Sequence, residues 1–465
     1  MKADYLISGA GATALSFLDV LLSESDATVV IADRRDAPGG HWNDAYPFVR
    51  LHQSASFYGV NSRHLGSKRH AAQDCLHPTF ELSTKSEILH YFHDLMENVY
   101  LASGRVTYLR NSEHLGDGRV RHLITGEVTQ VDVQKKIVHA GIWGDMGAIP
   151  ATHKPKYDVS EGVRCVPIND MPRAAKDYQN FCVIGAGKTG MDAAVWLLDQ
   201  GVDADRITWV RPSDYWLFNR ESILNHPSRF SKTIGAFLSE LEILGRVTSV
   251  AEYCTQMEAA GTWHRIDPTV TPTKFHAAVC SERELAALAK IKAVVRKGYV
   301  TALTPGKITL TQGVEDIDTD TLFVDCSASA GQVMPKKIPR VFQDDHTINL
   351  NLIRPFQPLF GAALIAFLEA KVPDDNARAA CTNNVNFHDT PAQYIAEMLP
   401  AMVNQGAWSK VPAVKSWMET TRLHAPNHMM PGFDAANEDH VSMVSRFGPA
   451  SKAAVMNIPT ILANA

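Results

Sequence analysis

The stretch Tyr5-Leu-Ile-Ser-Gly9-Ala-Gly11-Ala-Thr-Ala14-Leu-Ser-Phe-Leu18 joins a short apolar run to a turn of small residues and an apolar segment that continues through Leu21 and Leu22. It predicts strand, tight turn and helix. Gly9 permits the bend, Gly11 lets the backbone approach a pyrophosphate, and Ala14 lets helix and strand pack closely. The helix start presents unpaired N–H groups and a positive dipole end to phosphate oxygens. Nineteen residues after Ala14, the apolar run Thr28-Val-Val-Ile-Ala-Asp33 ends in an acid, where a carboxylate accepts hydrogen bonds from an adenosine ribose. Strand before, helix after and acid at that distance together predict a dinucleotide site.

The device returns in Asn180-Phe-Cys-Val-Ile-Gly185-Ala-Gly187-Lys188-Thr189-Gly190-Met-Asp-Ala-Ala-Val-Trp-Leu-Leu198, now with a full G-x-G-x-x-G. Its Gly-Lys-Thr is not a Walker A loop, because that motif needs glycine where Cys182 stands. The chain is therefore expected to hold two dinucleotides. The strand after the second turn, Arg206-Ile-Thr-Trp-Val-Arg211, ends in arginine, twenty-one residues past Gly190. An acid there would bind a ribose diol, whereas a guanidinium pairs with a 2′-phosphate, which favours NADPH over NADH.

Length and composition bound the rest. A chain of 465 residues has room for two or three domains, and 45% hydrophobic with 20% charged residues excludes a wholly disordered one. A net charge of −5 gives no electrostatic case for nucleic acid or an anionic membrane as partner. No uninterrupted apolar run reaches the roughly eighteen residues of a membrane span, and the first apolar segment lacks a basic flank followed by a cleavage site. Cysteines at 75, 165, 182, 254, 280, 326 and 381 are scattered without any C-x-x-C, which favours reduced thiols in a cytoplasmic protein and argues against dithiol–disulfide chemistry.

Between the two turns, Arg34-Arg-Asp-Ala-Pro-Gly39-Gly40-His41-Trp42 places bare backbone beside a large flat ring system, and the aromatic loop from Tyr46 to Ser62 follows. Thr84-Lys-Ser-Glu87 is a capping box that opens a helix through Val99. His90 and His93 lie on that helix as ordinary surface residues, and no metal site is expected. Residues 105 to 139 predict a β-meander of three or four strands inserted in the first domain, and a glycine-rich stretch follows to Pro150. Residues 212 to 295 are rich in helix formers and suggest no chemistry, whereas Gly298 to Thr311 and Asp318 to Asp325 return to strand. The run Leu322 to Gly331 ends in small residues that would let the chain pass close to a cofactor, and Pro355 to Glu369 predicts an apolar helix with proline near its start.

Two fingerprints in this order, with Gly39-Gly-His-Trp42 between them, resemble the flavin-containing monooxygenases and Baeyer–Villiger monooxygenases. The likeness extends to His139-Ala-Gly141 and Asp325-Cys-Ser-Ala-Ser329, which stand where that family has its two hinge motifs, and spans roughly residues 1 to 370. It implies FAD at the first turn, held by Gly9, Gly11, Ala14, Asp33, Arg34, Gly40, His41, Trp42 and Gln53, with Asp325 at the second hinge. It implies NADPH at the second, held by Gly185, Gly187, Lys188, Thr189, Gly190 and Arg211. The family's F-x-G-x-x-x-H-x-x-x-(F/Y/W) segment is missing: residues 162 to 172 contain no histidine, and His153 lies earlier and out of register.

The expected fold class is therefore α/β, with two Rossmann-like dinucleotide-binding domains in three layers and a β-meander. Residues 1–165 form the first part of an FAD domain, 166–320 an inserted NADPH domain, and 321–465 the second part of the FAD domain with C-terminal helices. The expected activity is a monooxygenase inserting one atom of O2 into a small organic substrate by way of a C4a-(hydro)peroxyflavin, at nitrogen or sulfur rather than by Baeyer–Villiger chemistry. Flavin and NADPH carry the chemistry, so no catalytic side chain is named. Partners are the small substrate and O2, with neither nucleic acid nor membrane, and a homodimer is one oligomeric state open to it. The alternatives are an NAD(P)H-dependent flavin oxidoreductase or oxidase without oxygen insertion, and a non-catalytic dinucleotide-binding protein.

Overall fold

The structure, a computed structural model, describes residues 1–66, 82–141, 149–329 and 337–465. Cys75, part of the glycine-rich stretch before Pro150, and the last residues of the Leu322 to Gly331 run lie outside them.

The first stretch folds as its pattern requires. Strand β1 (Lys2–Ser8) leads through the glycine turn into helix α1 (Ala12–Glu24), then β2 (Val29–Ala32), with every residue of β2 buried. Helix α2 (Lys85–Leu95) starts at Thr84, whose hydroxyl accepts from the Glu87 N–H while the Glu87 carboxylate accepts from the Thr84 N–H. β3 (Val106–Leu109) follows, then β4 (Ser112–Gly116), β5 (Arg119–His122) and β6 (Val128–Gln130), then β7 (Asp132–His139). The expected meander is β4-β5-β6, antiparallel, while β3 and β7 pair parallel with β2 and β1 on either side.

The second unit begins at β8 (Asp158–Val159) and β9 (Cys165–Pro167), followed by the short helix α3 (Met171–Ala174). Strand β10 (Asn180–Ile184), helix α4 (Lys188–Asp199) and strand β11 (Ile207–Val210) repeat the opening unit. Residues 212 to 295, expected to be helical, hold β12 (Tyr215–Asn219), α5 (Phe230–Leu244), α6 (Val250–Ala259), β13 (Trp263–His264), β14 (Lys274–Cys280), α7 (Glu282–Leu288) and β15 (Val294–Val295). The three-stranded sheet β13-β12-β14 in this region was not foreseen, because its partners are separated by some forty to sixty residues and no local period reports the pairing. Antiparallel strands β16 (Val300–Thr304), β17 (Lys307–Leu310) and β18 (Gly313–Asp316) precede β19 (Thr321–Asp325).

Here the expected boundary at residue 320 needs correcting. β19 lies in the second sheet, ordered β15-β11-β10-β19-β9 with all strands parallel, and pairs with β10 in the register Ile184 to Asp325. The chain returns to the first sheet only at β20 (Phe342–Asp344) and β21 (Thr347–Asn349), which complete the order β20-β21-β7-β1-β2-β3.

Helix α8 (Pro358–Lys371) then lies alongside α1, and its residues 359 to 368 are all buried. Ser16 Oγ donates to the Leu359 carbonyl at 2.9 Å near the start of both helices, and Lys371 reaches Glu24 at 3.4 Å near their ends, so they run parallel. Helices α9 (Asp375–Ala380), α10 (Pro391–Trp408), α11 (Pro412–Thr420), α12 (Pro426–Met429) and α13 (Glu438–Ala463) follow. The C-terminal helices, expected to belong with the first domain, divide: α10 and α13 share a core with α5, α6 and the β13-β12-β14 sheet through Tyr253, Trp263, Phe275, Tyr394 and Ile458. Aromatic rings of this size each bury enough surface to hold such an attachment. Among the described residues no helix is long and apolar enough to cross a membrane.

Candidate functional site: two glycine turns at parallel-sheet edges

Both fingerprints occupy the carboxyl end of a parallel strand, where a doubly wound sheet offers a crevice. The bonding is the same in each. Gly9 N–H donates to the Ala32 carbonyl at 2.7 Å, and Gly185 N–H to the Val210 carbonyl at 3.0 Å, which fastens each turn to the next strand. Gly9 (φ 107°) and Gly185 (φ 129°) hold backbone conformations that favour glycine. Helices α1 and α4 start at Gly11 and Gly187 with no side chain capping either end, whereas α2, α7 and α10 each carry a capping box. The first-turn N–H groups of α1 and α4 are thus left for an anion such as pyrophosphate, and the residues present fit one dinucleotide at each turn.

The surroundings differ. At the first turn Asp33, 5% exposed, accepts from the Ala10 N–H at 2.6 Å and the Arg35 N–H at 2.7 Å, so its carboxylate braces the turn. The Gly39-Gly-His-Trp loop closes over it: Gly39 N–H donates to the Ala10 carbonyl at 2.9 Å, and a Cβ on Gly40 would come within 2.8 Å of the Gly11 Cα. Trp42 is buried, donates from Nε1 to the Tyr58 hydroxyl at 2.7 Å and stacks with the exposed His41 at 5.5 Å. Gln53 is half-buried nearby in sequence, and Arg34 extends outward, 61% exposed, to 3.6 Å from Glu113.

At the second turn the neighbours are Cys326 and Trp209. Cys326 N–H donates to the Ile184 carbonyl at 2.8 Å, and Trp209 Nε1 to the Gly185 carbonyl at 2.8 Å. A Cβ on Gly190 would overlap the Gly185 carbonyl oxygen, while one on Gly187 would meet nothing within 4 Å among the described residues. Thr189 is half-buried in the first turn of α4.

Two expected nicotinamide-site side chains are engaged elsewhere. Lys188 reaches Asp192 at 2.5 Å and Glu284 at 3.2 Å, and Glu284 also holds Arg220 at 2.9 Å. Burial would raise the Glu284 carboxyl, but Lys188 and Arg220 outweigh it and bring it down to about 2. Burial would likewise lower Lys188, yet Asp192 and Glu284 raise it. Arg211 was expected to face a 2′-phosphate, and the structure corrects this. It is 3% exposed, lies 4.7 Å from the Trp209 ring centre and is ion-paired with Asp214. The more open cation at that corner is Arg296, which reaches the same Asp214 at 2.9 Å and Asp267 at 3.0 Å.

Between the two units lies a cleft of about 530 Å³, lined by Phe48 and His52 from the first and by Lys188, Asp192, Trp196 and Glu284 from the second. The Tyr46 hydroxyl donates to Asp192 at 2.5 Å and Phe48 stacks on Trp196 at 5.2 Å, so this contact is both polar and aromatic. Asp325 does not stand with the first-site residues. It is buried beside the second turn, accepting from the Ser327 hydroxyl at 2.6 Å, with His153 Nε2 3.1 Å from that hydroxyl and 3.8 Å from the carboxylate. His153, set aside on sequence as out of register, therefore ties the connection between the units to the end of β19. Nothing local in the sequence reports a contact across 174 residues.

No family model matches the chain. It is 35% identical over 447 residues to the uncharacterized protein Rv2000 of Mycobacterium tuberculosis, covering 96% of this chain and 82% of that one. The chain belongs to the Rv2000 family. Members of the Rv2000 family are also found in Mycobacterium bovis, at the same 35% identity. In structure, this Rv2000-family chain is similar to a flavin-containing monooxygenase from Stenotrophomonas maltophilia, at 15% identity over 80% of this chain and 97% of that one, with a TM-score of 0.46. It is also similar to an oxidized steroid monooxygenase bound to NADP, at 14% identity over 97% of this chain and 99% of that one, with a TM-score of 0.47.

Proposed function

We propose that the chain is an FAD- and NADPH-dependent monooxygenase acting on a small organic nucleophile, an amine or sulfide rather than a ketone. The observation that supports it most directly is the pair of uncapped helix starts, α1 and α4, at two glycine turns on the carboxyl ends of strands in two sheets of one chain. One dinucleotide-binding turn would serve a binding protein or a simple dehydrogenase; two on one chain suit hydride transfer between a nicotinamide and a flavin.

In this reading Gly9, Gly11 and Ala14 admit the FAD pyrophosphate, and Gly40 and Trp42 roof it. Gly185, Gly187 and Gly190 admit the nicotinamide dinucleotide, with Arg296 at the adenosine end of its strand order. The flavin supplies an acceptor for the nicotinamide hydride and a donor of electrons to O2. The balance is NADPH, one proton, O2 and substrate giving NADP, water and the substrate with one added oxygen atom. The buried Trp42–Tyr58 pair and the loop bonded to Ala10 would shield a flavin at the first turn on one side, and the Tyr46–Asp192 bond joins the two units beside the cleft.

The test is to purify the protein, identify any yellow cofactor, and supply NADPH with isotopically labelled O2 and a panel of amines, sulfides and ketones. One labelled oxygen in the organic product for each NADPH consumed is expected. Quantitative hydrogen peroxide across the whole panel would replace this reading with an oxidase, and a protein that cannot be loaded with FAD would remove both.

A further inference from the structure

Arginines that are buried or half-buried in this fold are given partners, as three show. Arg220 reaches Glu284 at 2.9 Å, Arg378 donates to the Val372 carbonyl at 2.5 Å and pairs with Glu369 at 3.5 Å, and Arg422 donates to the carbonyls of Val60, Ser56 and Tyr58 at 2.5 to 2.8 Å. Arg354 is different. Its Nη1 is sealed from solvent without a hydrogen-bond partner, and neither hydrogen bond nor ion pair holds the rest of its guanidinium among the described residues. It lies over the face of Phe360, 5.3 Å from the ring centre. Burial, with no acid to oppose it, lowers the guanidinium to about 10.

Two further groups near it share the condition. His424 stacks with Phe360 at 5.7 Å and its Nδ1 is buried without a partner; Gln357, at the start of α8, has a buried, unpartnered Oε1. Burial, reinforced by Arg354, lowers His424 to about 4, so it stands neutral at neutral pH. The place matters as much as the chemistry. The start of α8 opens on the same sheet edge as the first glycine turn, because α8 and α1 run parallel and Ser16 bonds Leu359. From the other side, Arg422 fastens the segment carrying His424 to residues 56–60, whose Tyr58 holds Trp42.

Arg354 is half-buried, yet its sealed Nη1 has lost water without gaining an acceptor, a loss that a cation–π contact offsets only in part. An oxyanion matches the fork of the guanidinium and recovers the rest. We infer that Arg354 is a substrate-specificity residue and that the substrate carries a carboxylate, bound by the Arg354 guanidinium beside Gln357 and His424. This rests on the oxygenase reading only for the word substrate; the recognition of a carboxylate by Arg354 stands on its own geometry.

The experiment is calorimetric titration of the purified full chain with thioether carboxylates of increasing chain length, each against its methyl ester, in wild type, R354Q and R354K, with FAD content followed by absorbance. Wild type should bind the best acid at least about tenfold tighter than its ester, the value of one charge-assisted contact. R354Q should erase that discrimination with FAD content unchanged, and R354K, which keeps the charge but not the fork, should lie between, which also covers the case that R354Q does not fold. Equal binding of acid and ester throughout the series in wild type would overturn the inference. So would R354Q or R354K retaining full discrimination, or R354Q losing FAD while discrimination persists, which would give the guanidinium to the flavin. Acid-selective binding by a protein that transfers no oxygen would sink the oxygenase reading and leave Arg354 as assigned.

Discussion

The two glycine turns share their hydrogen bonds and differ in what surrounds them. The first is roofed by the Gly39 to Trp42 loop and braced by Asp33, while the second rests on Cys326 and Trp209 and is open at Gly187. A roofed turn suits a cofactor that stays and an open one suits a coenzyme that exchanges each cycle. The third small residue shows the same difference: Ala14 accommodates a methyl group with full burial, whereas at Gly190 a methyl would overlap the Gly185 carbonyl that Trp209 holds in place.

The largest effect should come from breaking that asymmetry. Gly190→Ala forces backbone apart and is expected to cost about 3 kcal/mol or more, abolishing NADPH binding while the protein stays yellow. Gly11→Val should do the reverse, blocking pyrophosphate approach and losing FAD, with a smaller stability cost because its Cβ would stand 3.7 Å from the Gly40 Cα. Cofactor content and thermal melting of both variants check this, and a Gly190→Ala protein that binds NADPH normally would show that the second turn is no tighter than the first.

Acid should separate the two helices next, with opposite signs. Behind α4, Glu284 has a folded-state pKa of about 2, below the ordinary 4.5, so the stability it contributes through Lys188 and Arg220 is complete above pH 4.5 and lost as pH falls toward 2, on the order of 2–3 kcal/mol. In α1, burial raises Asp19 against the hydrogen bonds of Ser62 and Tyr100, so its contribution is favourable at low pH and declines as pH rises through the raised value. Hydrogen exchange at pH 7 and pH 3 should therefore show residues 188–199 losing protection before residues 12–24. Loss in the opposite order would mean that the Lys188 network does not support the second turn.

The contrast between what a sequence reports and what it conceals runs along the same line. The strand–turn–helix units, the Thr84 capping box and the apolar α8 were legible because each rests on residues within a few positions of one another. Arg211 pairing with Asp214, Lys188 held by Glu284, β19 joining the second sheet and His153 reaching Ser327 were not, since each depends on which distant groups the fold brings near. Arg211 is instructive: its place at a strand end after the second fingerprint was read correctly, but the acid three residues on turned its charge inward. Arg354 gave no signal, because an arginine is conspicuous only once its neighbours are known to lack acids.

A smaller effect concerns the charge at the end of β11. Removing a charge-assisted phosphate contact costs about 1.5–3 kcal/mol, roughly ten- to a hundredfold. Arg296→Ala is expected to weaken NADPH by that factor and NADH little, whereas Arg211→Ala, which removes a buried ion pair and leaves Asp214 to Arg296 alone, should weaken both and lower the melting temperature. Coenzyme affinities of the two variants decide it; selective loss of NADPH in Arg211→Ala alone would return the role to Arg211.

The smallest effect tests whether openness at Gly187 serves exchange. Its Cβ would meet nothing within 4 Å among the described residues, and its φ of −74° is one that any residue adopts, so Gly187→Ala should leave stability within about 0.5 kcal/mol. The added methyl stands at the start of α4, where a pyrophosphate must approach the uncapped N–H groups. It should therefore raise the dissociation constant for NADPH severalfold, mainly by slowing association, with FAD content untouched. Stopped-flow binding separates the two rates. If NADPH binds to Gly187→Ala as to wild type, the pyrophosphate does not pass that face of the turn, and the difference in roofing between the two sites has another cause than coenzyme exchange.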